Sequence, residues 1–139
     1  MIKDFNVNGA TLKVDKDSTE RFYLTQDKIT DNCGCSDCSF YTDTFTKQPF
    51  EIFKTLKDMG VDLEKNLSSE PTGVWCVRDE NGQLIYGFQV YQVFASIDNL
   101  NKQEINYVKL ESRYKVDAKF KESNSERVDI ELRFELHKN

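Results

Sequence analysis

GVWCVRDENGQLIYGFQVYQVF, residues 73–94, is the stretch on which the fold turns. Asn81-Gly82 stands between two runs in which apolar and polar residues alternate. Asn-Gly is the pair that fits the two positive-φ positions of a type I′ hairpin turn. The turn predicts antiparallel pairing of Trp75 with Phe88 and of Val77 with Tyr86. Leu84, Tyr86, Phe88, Val90 and Phe94 then share the apolar face, and Cys76 falls on the other face, opposite Gly87.

The same signal recurs near the start of the chain. In FNVNGATLKV, residues 5–14, Asn8-Gly9 sets Val7 across from Ala10 and Phe5 across from Leu12, with Val14 on the same apolar face. An even-numbered stripe runs through Val108, Leu110, Tyr114, Val116, Ala118 and Phe120. The cleanest alternation is the last: Val128, Ile130, Leu132, Phe134 and Leu136 against Asp129, Glu131, Arg133 and Glu135. One buried and one wet face per strand is the pattern of antiparallel sheet.

Between the first hairpin and Trp75 the period becomes helical. QPFEIFKTLKDMGVD, residues 48–62, puts Ile52, Phe53, Leu56 and Met59 on one face. Pro49 suits a first turn, where its missing N–H has no intrahelical partner. Gly60 supplies a left-handed stop that folds Val61 back on Leu56. SDCSFYTDTF, residues 36–45, reads as a shorter helix capped by Ser36 and burying Cys38, Tyr41 and Phe45. Polar connections are expected at 15–19, 68–72, 98–104 and 121–126. The expectation is one domain over residues 1–139, of α+β class: about six to seven mainly antiparallel strands with a helical insertion after the third strand.

Composition bounds the function. Ten Phe, six Tyr and one Trp in alternating runs can fill a core and exclude a disordered chain. A net charge of −5 with no Lys/Arg cluster argues against nucleic acid and suits, weakly, a basic protein partner. The N-terminus has charges where a signal peptide needs apolar residues, and no run has the roughly 18 apolar residues of a membrane span. The expected location is cytoplasmic, with no membrane partner. There, close cysteines point to metal or redox chemistry before structural disulfides.

Three of the four cysteines lie in NCGCSDCSFY, residues 32–41. Cys35-x-x-Cys38 has the usual zinc-knuckle spacing, and one local turn can present several thiolates to a tetrahedral ion. Cys33 joins if Gly34 lets the loop curl. Cys76 is the natural fourth ligand, since a glycine opposite it leaves room for the loop to approach the strand. Zn2+ held by Cys33, Cys35, Cys38 and Cys76 stands beside a bland alternative, in which reduced thiols pack as small apolar residues. A redox pair at Cys35 and Cys38 is the third reading, with Cys38 in a helical first turn that favours thiolate. His137, the only imidazole, falls on the polar face of the last strand and reads as a surface residue. No Gly-rich phosphate loop or distinct carboxylate pair supports an enzyme.

CGCSDCSFY (33–41), a helix ending MGVDLEK (59–65) and the strand YGFQVYQVF (86–94) together resemble a family of small bacterial proteins of uncharacterised activity. The family pattern is a Cys-x-Cys-x-x-Cys loop, an aromatic just beyond and a Gly-hydrophobic-Asp-x-x-Lys helix exit. Cys33, Cys35, Cys38, Tyr41, Gly60, Val61, Asp62 and Lys65 match it, over about the middle half of the chain. Phe40 departs from it, standing where the family has Asn. The resemblance implies a bacterial or phage origin and brings no activity. Three functions are therefore expected: a cytosolic binding or accessory protein with a structural cysteine loop, a thiol-redox or metal-dependent enzyme using Cys35 and Cys38, or an acidic inhibitor or immunity-type protein.

Overall fold

The computed structural model describes residues 2–32, 35–65, 75–98 and 104–137. Asn8 and Gly9 take φ of 48° and 83°, so the first turn forms as read. It joins β1 (Ile2–Val7) to β2 (Ala10–Asp15), with Val7 opposite Ala10 and Phe5 opposite Leu12. β3 (Trp75–Arg78), β4 (Leu84–Asp98), β5 (Glu104–Glu111), β6 (Tyr114–Glu122) and β7 (Arg127–Leu136) follow. Among the described residues they make a seven-stranded antiparallel sheet of order β1-β2-β4-β7-β6-β5, with β3 also on β4.

β3 and β4 pair Trp75 with Phe88, Cys76 with Gly87 and Val77 with Tyr86, as the turn predicts. The turn itself differs. Asn81 has no positive φ; Gly82 alone is left-handed, at 78°. Asp79 is the cause: its carboxylate accepts the N–H groups of Asn81 (2.9 Å) and Gln83 (2.8 Å), and its carbonyl accepts Gly82 N–H at 3.0 Å. That bonding tightens a three-residue loop and shifts the register between Val77 and Arg78.

The core face of β4 also differs from expectation. Gln89, Tyr91, Val93, Ala95 and Ile97 are buried, whereas Tyr86, Phe88, Val90 and Phe94 are half-buried on the opposite face. β4 is apolar on both sides, so its own pattern cannot choose. β7 chooses for it: register places Tyr91 opposite Ile130 and Val93 opposite Val128, and paired residues share a face. The outer aromatics are covered by guanidinium groups, Arg133 lying 5.2 Å from the Phe88 ring centre and Arg127 4.5 Å from that of Phe94. The even-numbered stripe breaks at Ser112, whose φ is 55°. Its two-residue turn opposes Glu111 to Tyr114 and turns Ile105 inward, leaving Val108 57% and Leu110 60% exposed.

The helices follow the second strand, not the third. α1 (Lys16–Leu24), α2 (Ile29–Asn32), α3 (Ser36–Asp43), a 3-10 turn (Phe45–Lys47) and α4 (Glu51–Asp58) all lie between β2 and β3. α1 replaces the polar connection expected at 15–19. The Asp15 carboxylate caps it, accepting Ser18 N–H at 3.0 Å and Ser18 Oγ–H at 2.8 Å, and these bonds hold it below the usual carboxylate range. The helix fills a gap. β3 pairs with the start of β4 and β2 with its end, and between them Tyr23 Oη donates to Gln92 O (2.8 Å) and accepts from Gln92 N (2.9 Å). Thr19 Oγ1 accepts Phe94 N–H at 3.0 Å. One phenol and one hydroxyl thus stand in for a missing strand.

α4 buries Ile52, Phe53 and Leu56, with Met59 at its C-cap, as read. Pro49 lies before the N-cap Phe50 and outside the first turn. Gly60 at φ 98° ends the helix, with Gly60 N–H on Lys57 O and Val61 N–H on Leu56 O, both at 3.0 Å, a Schellman ending. Phe50 offers no side-chain cap, so Glu111 of β5 supplies one, its Oε1 accepting Glu51 N–H at 2.7 Å. The core between sheet and helices centres on Phe45, whose ring lies 4.9 Å from Phe134, 5.4 Å from Tyr114 and 5.7 Å from Phe50.

Candidate functional site

The N-terminus of α3 carries two of the expected thiols. Cys35, not Ser36, is the N-cap: its backbone is extended (φ −75°, ψ 160°) and its sulfur accepts Cys38 N–H at 3.4 Å. Ser36 Oγ has another task, accepting from Arg78 Nη2 at 3.0 Å. Cys35 Sγ and Cys38 Sγ lie 3.3 Å apart. Cys35 is exposed and Cys38 fully buried. Cys33 lies outside the described residues, as does the side chain of Cys76, whose backbone pairs with Gly87 in β3. Among the described residues no group of three or more His, Cys, Asp or Glu is arranged to hold a metal ion; the two sulfurs are the described part of the expected set.

Arg78 joins this helix end to the sheet. Its Nε donates to Asp37 Oδ1 at 2.7 Å, and its guanidinium lies 5.0 Å from the centre of the Phe40 ring. Arg78 is two residues from Cys76, so β3 is fastened beside the Cys35–Cys38 pair. Sequence reasoning missed Arg78 because nothing in its local pattern separates it from any wet-face arginine. The signal that was present is Asp79-x-x-Gly82, whose loop shifts the register at Arg78.

Behind the thiols a buried hydroxyl chain fixes α3. Tyr91 Oη donates to Leu63 O at 2.6 Å, so Tyr41 Oη, 2.6 Å from Tyr91 Oη, is the donor between the two phenols. Burial pushes both phenols well above their ordinary value. They are hydrogen-bonded anchors, and no proton leaves them near neutral pH. Thr42 Oγ1 donates to Cys38 O at 3.1 Å, which holds the first turn from within.

His137 is exposed, as expected, and its backbone N–H donates to Arg113 O at 2.7 Å. The outer sheet face carries charges of both signs. Lys115 opposes Glu135, Asp117 opposes Arg133, Lys119 opposes Glu131 and Lys121 opposes Asp129 across β6 and β7. Among the described residues no helix is long and apolar enough to cross a membrane.

No family model matches the chain, and no curated protein or solved structure matches it either.

Proposed function

We propose that the chain is a small cytosolic binding or accessory protein, of bacterial or phage origin, whose cysteine loop is a structural zinc site. The carrying observation is the placement of the Cys35 and Cys38 sulfurs 3.3 Å apart at a helix end that Arg78 ties to the strand bearing Cys76. Zn–S bonds of about 2.3 Å in a tetrahedron separate sulfurs by roughly 3.8 Å, so the pair needs to open by only a few tenths of an ångström. In this reading Cys33 and Cys76 complete the shell, and the ion closes the loop against β3. Asp37, the carboxylate between Cys35 and Cys38, is engaged by Arg78. Across the described β6 and β7, opposite charges face each other, which gives the acidic-inhibitor reading no support on that face.

The test is metal analysis of the chain purified under reductant without chelator. One zinc per chain is expected, lost on Cys33→Ser, Cys35→Ser, Cys38→Ser or Cys76→Ser. Zinc retained by the Cys35→Ser/Cys38→Ser double variant, or no zinc in the unaltered chain, sinks the reading.

A further inference from the structure

We infer that Cys35 and Cys38 form a reversible dithiol–disulfide centre that responds to peroxide, with Cys35 as the attacking sulfur and Cys38 as the resolving one. The inference uses two of the thiols proposed for zinc but rests on their own geometry, not on the metal. Cys35 is exposed, whereas Cys38 is shielded from solvent and lies 3.3 Å from it. An accessible sulfur with a second sulfur buried within reach is the arrangement that converts a sulfenic acid to a disulfide before further oxidation. Closing from 3.3 Å to a bond of about 2.05 Å needs an approach of roughly 1.3 Å. Cys35 precedes the helix and has no helical backbone to break, so its side chain supplies that movement.

The first turn of the helix holds the two sulfurs side by side. Cys38 N–H donates to Cys35 Sγ at 3.4 Å, and Arg78, bonded to Ser36 Oγ and Asp37 Oδ1, holds the two residues between the cysteines in place. The chemistry balances with hydrogen peroxide as oxidant. Cys35 sulfur attacks one peroxide oxygen as its proton leaves, the O–O bond breaks, and the departing hydroxide takes that proton to become water, leaving Cys35 as sulfenic acid. Cys38 sulfur then attacks Cys35 sulfur, the S–O bond breaks, and hydroxide leaves with the Cys38 proton as a second water. Two thiols have lost two electrons to one peroxide. A dithiol reductant reverses the bond by exchange.

The test treats the full reduced chain, stripped with chelator, with a small excess of hydrogen peroxide, blocks remaining thiols and maps disulfides by peptide mass spectrometry. A Cys35–Cys38 bond is expected, lost on adding dithiothreitol and still formed in Cys33→Ser and Cys76→Ser. Cys38→Ser should leave a sulfenic acid on Cys35 that dimedone traps, and Cys35→Ser should lower peroxide consumption at least tenfold. A bond mapped to Cys33 or Cys76 in the unaltered chain, or unchanged peroxide consumption in Cys35→Ser, overturns the inference. Zinc content before stripping separates the two ideas. Disulfide without zinc removes the metal reading alone, and zinc without the Cys35–Cys38 bond removes this one alone.

Discussion

Tyr23→Phe removes one oxygen atom and tests whether α1 is the surrogate strand that closes the edge of β4. The ring, 2% exposed, keeps its packing; what goes is the hydroxyl that accepts Gln92 N–H at 2.9 Å and donates to Gln92 O at 2.8 Å. A buried backbone group without a partner costs about 1–3 kcal/mol. Two such groups lose their partner, so the expected loss is at least about 2 kcal/mol. Urea denaturation reads it as a lower midpoint with an unchanged slope, and hydrogen exchange reads it as faster exchange at Gln92. A loss below about 0.5 kcal/mol, the size of an ordinary surface substitution, with Gln92 exchange unchanged would show that α1 does not close this edge.

The same phenol gives a pH signature. Burial pushes Tyr23, Tyr41 and Tyr91 above the ordinary value of 10.0. Below that pH both folded and unfolded chains hold these protons, and the stability is fully present. Above it the unfolded chain releases protons that the folded chain keeps, so stability falls as pH rises. Each tyrosine contributes a slope of about 1.4 kcal/mol per pH unit there. Tyr23→Phe should flatten the alkaline slope by its own share, about 1.4 kcal/mol per pH unit.

Phe134→Ala should cost about 3–5 kcal/mol by urea denaturation, because the ring faces Phe45 and Phe53; a cost under about 1 kcal/mol would mean the aromatic centre is loosely packed. Gly60→Ala should destabilise more than Gly82→Ala: both have positive φ, but a Cβ at Gly60 would stand 2.9 Å from Lys16 O while Gly82 has open space. Expected losses are about 2–3 kcal/mol and about 1 kcal/mol, and equal losses would show that α1 does not bear on the α4 exit. Glu111→Ala should cost about 1 kcal/mol through the lost cap on α4, and Glu111→Gln, which keeps an acceptor oxygen, about half that or less; identical losses would remove the capping role.

Where a residue's own period decided its place, the sequence sufficed. β7 shows this best: Val128, Ile130, Leu132 and Phe134 are buried on alternate positions because the intervening residues are charged and can only face water. The α4 face and its glycine exit were legible for the same reason. β4 was not, because both its faces are apolar and only pairing to β7 selects one. Val108 and Leu110 were misplaced because a two-residue turn reverses parity, and Ser112 gives no advance sign of one. α1 was hidden by its cap: Asp15, Asp17 and Ser18 look like a loop until the Asp15 carboxylate is seen on Ser18 N–H. At the candidate site the cysteines were visible and Arg78 was not. A cluster shows as spacing along the chain, whereas Arg78 acts across 41 residues, on Asp37.

That long-range tie couples the thiols to the sheet. β2 and β3 share one edge of β4 without meeting, and each side of the gap is held by helical side chains. Tyr23 and Thr19 of α1 occupy the gap itself, while α3 holds the four residues of β3 through Arg78 on Ser36 and Asp37. A strand so short has few ladder bonds of its own, and a short pairing is marginal without packing against another element. Whatever fixes the first turn of α3 therefore also fixes β3. A zinc ion or a disulfide at Cys35 and Cys38 would act on that turn directly, beside the residues that Arg78 grips. Its effect would reach the strand through the guanidinium, with no change needed in the Phe45 core, which gives a small thiol site leverage over one edge of the sheet.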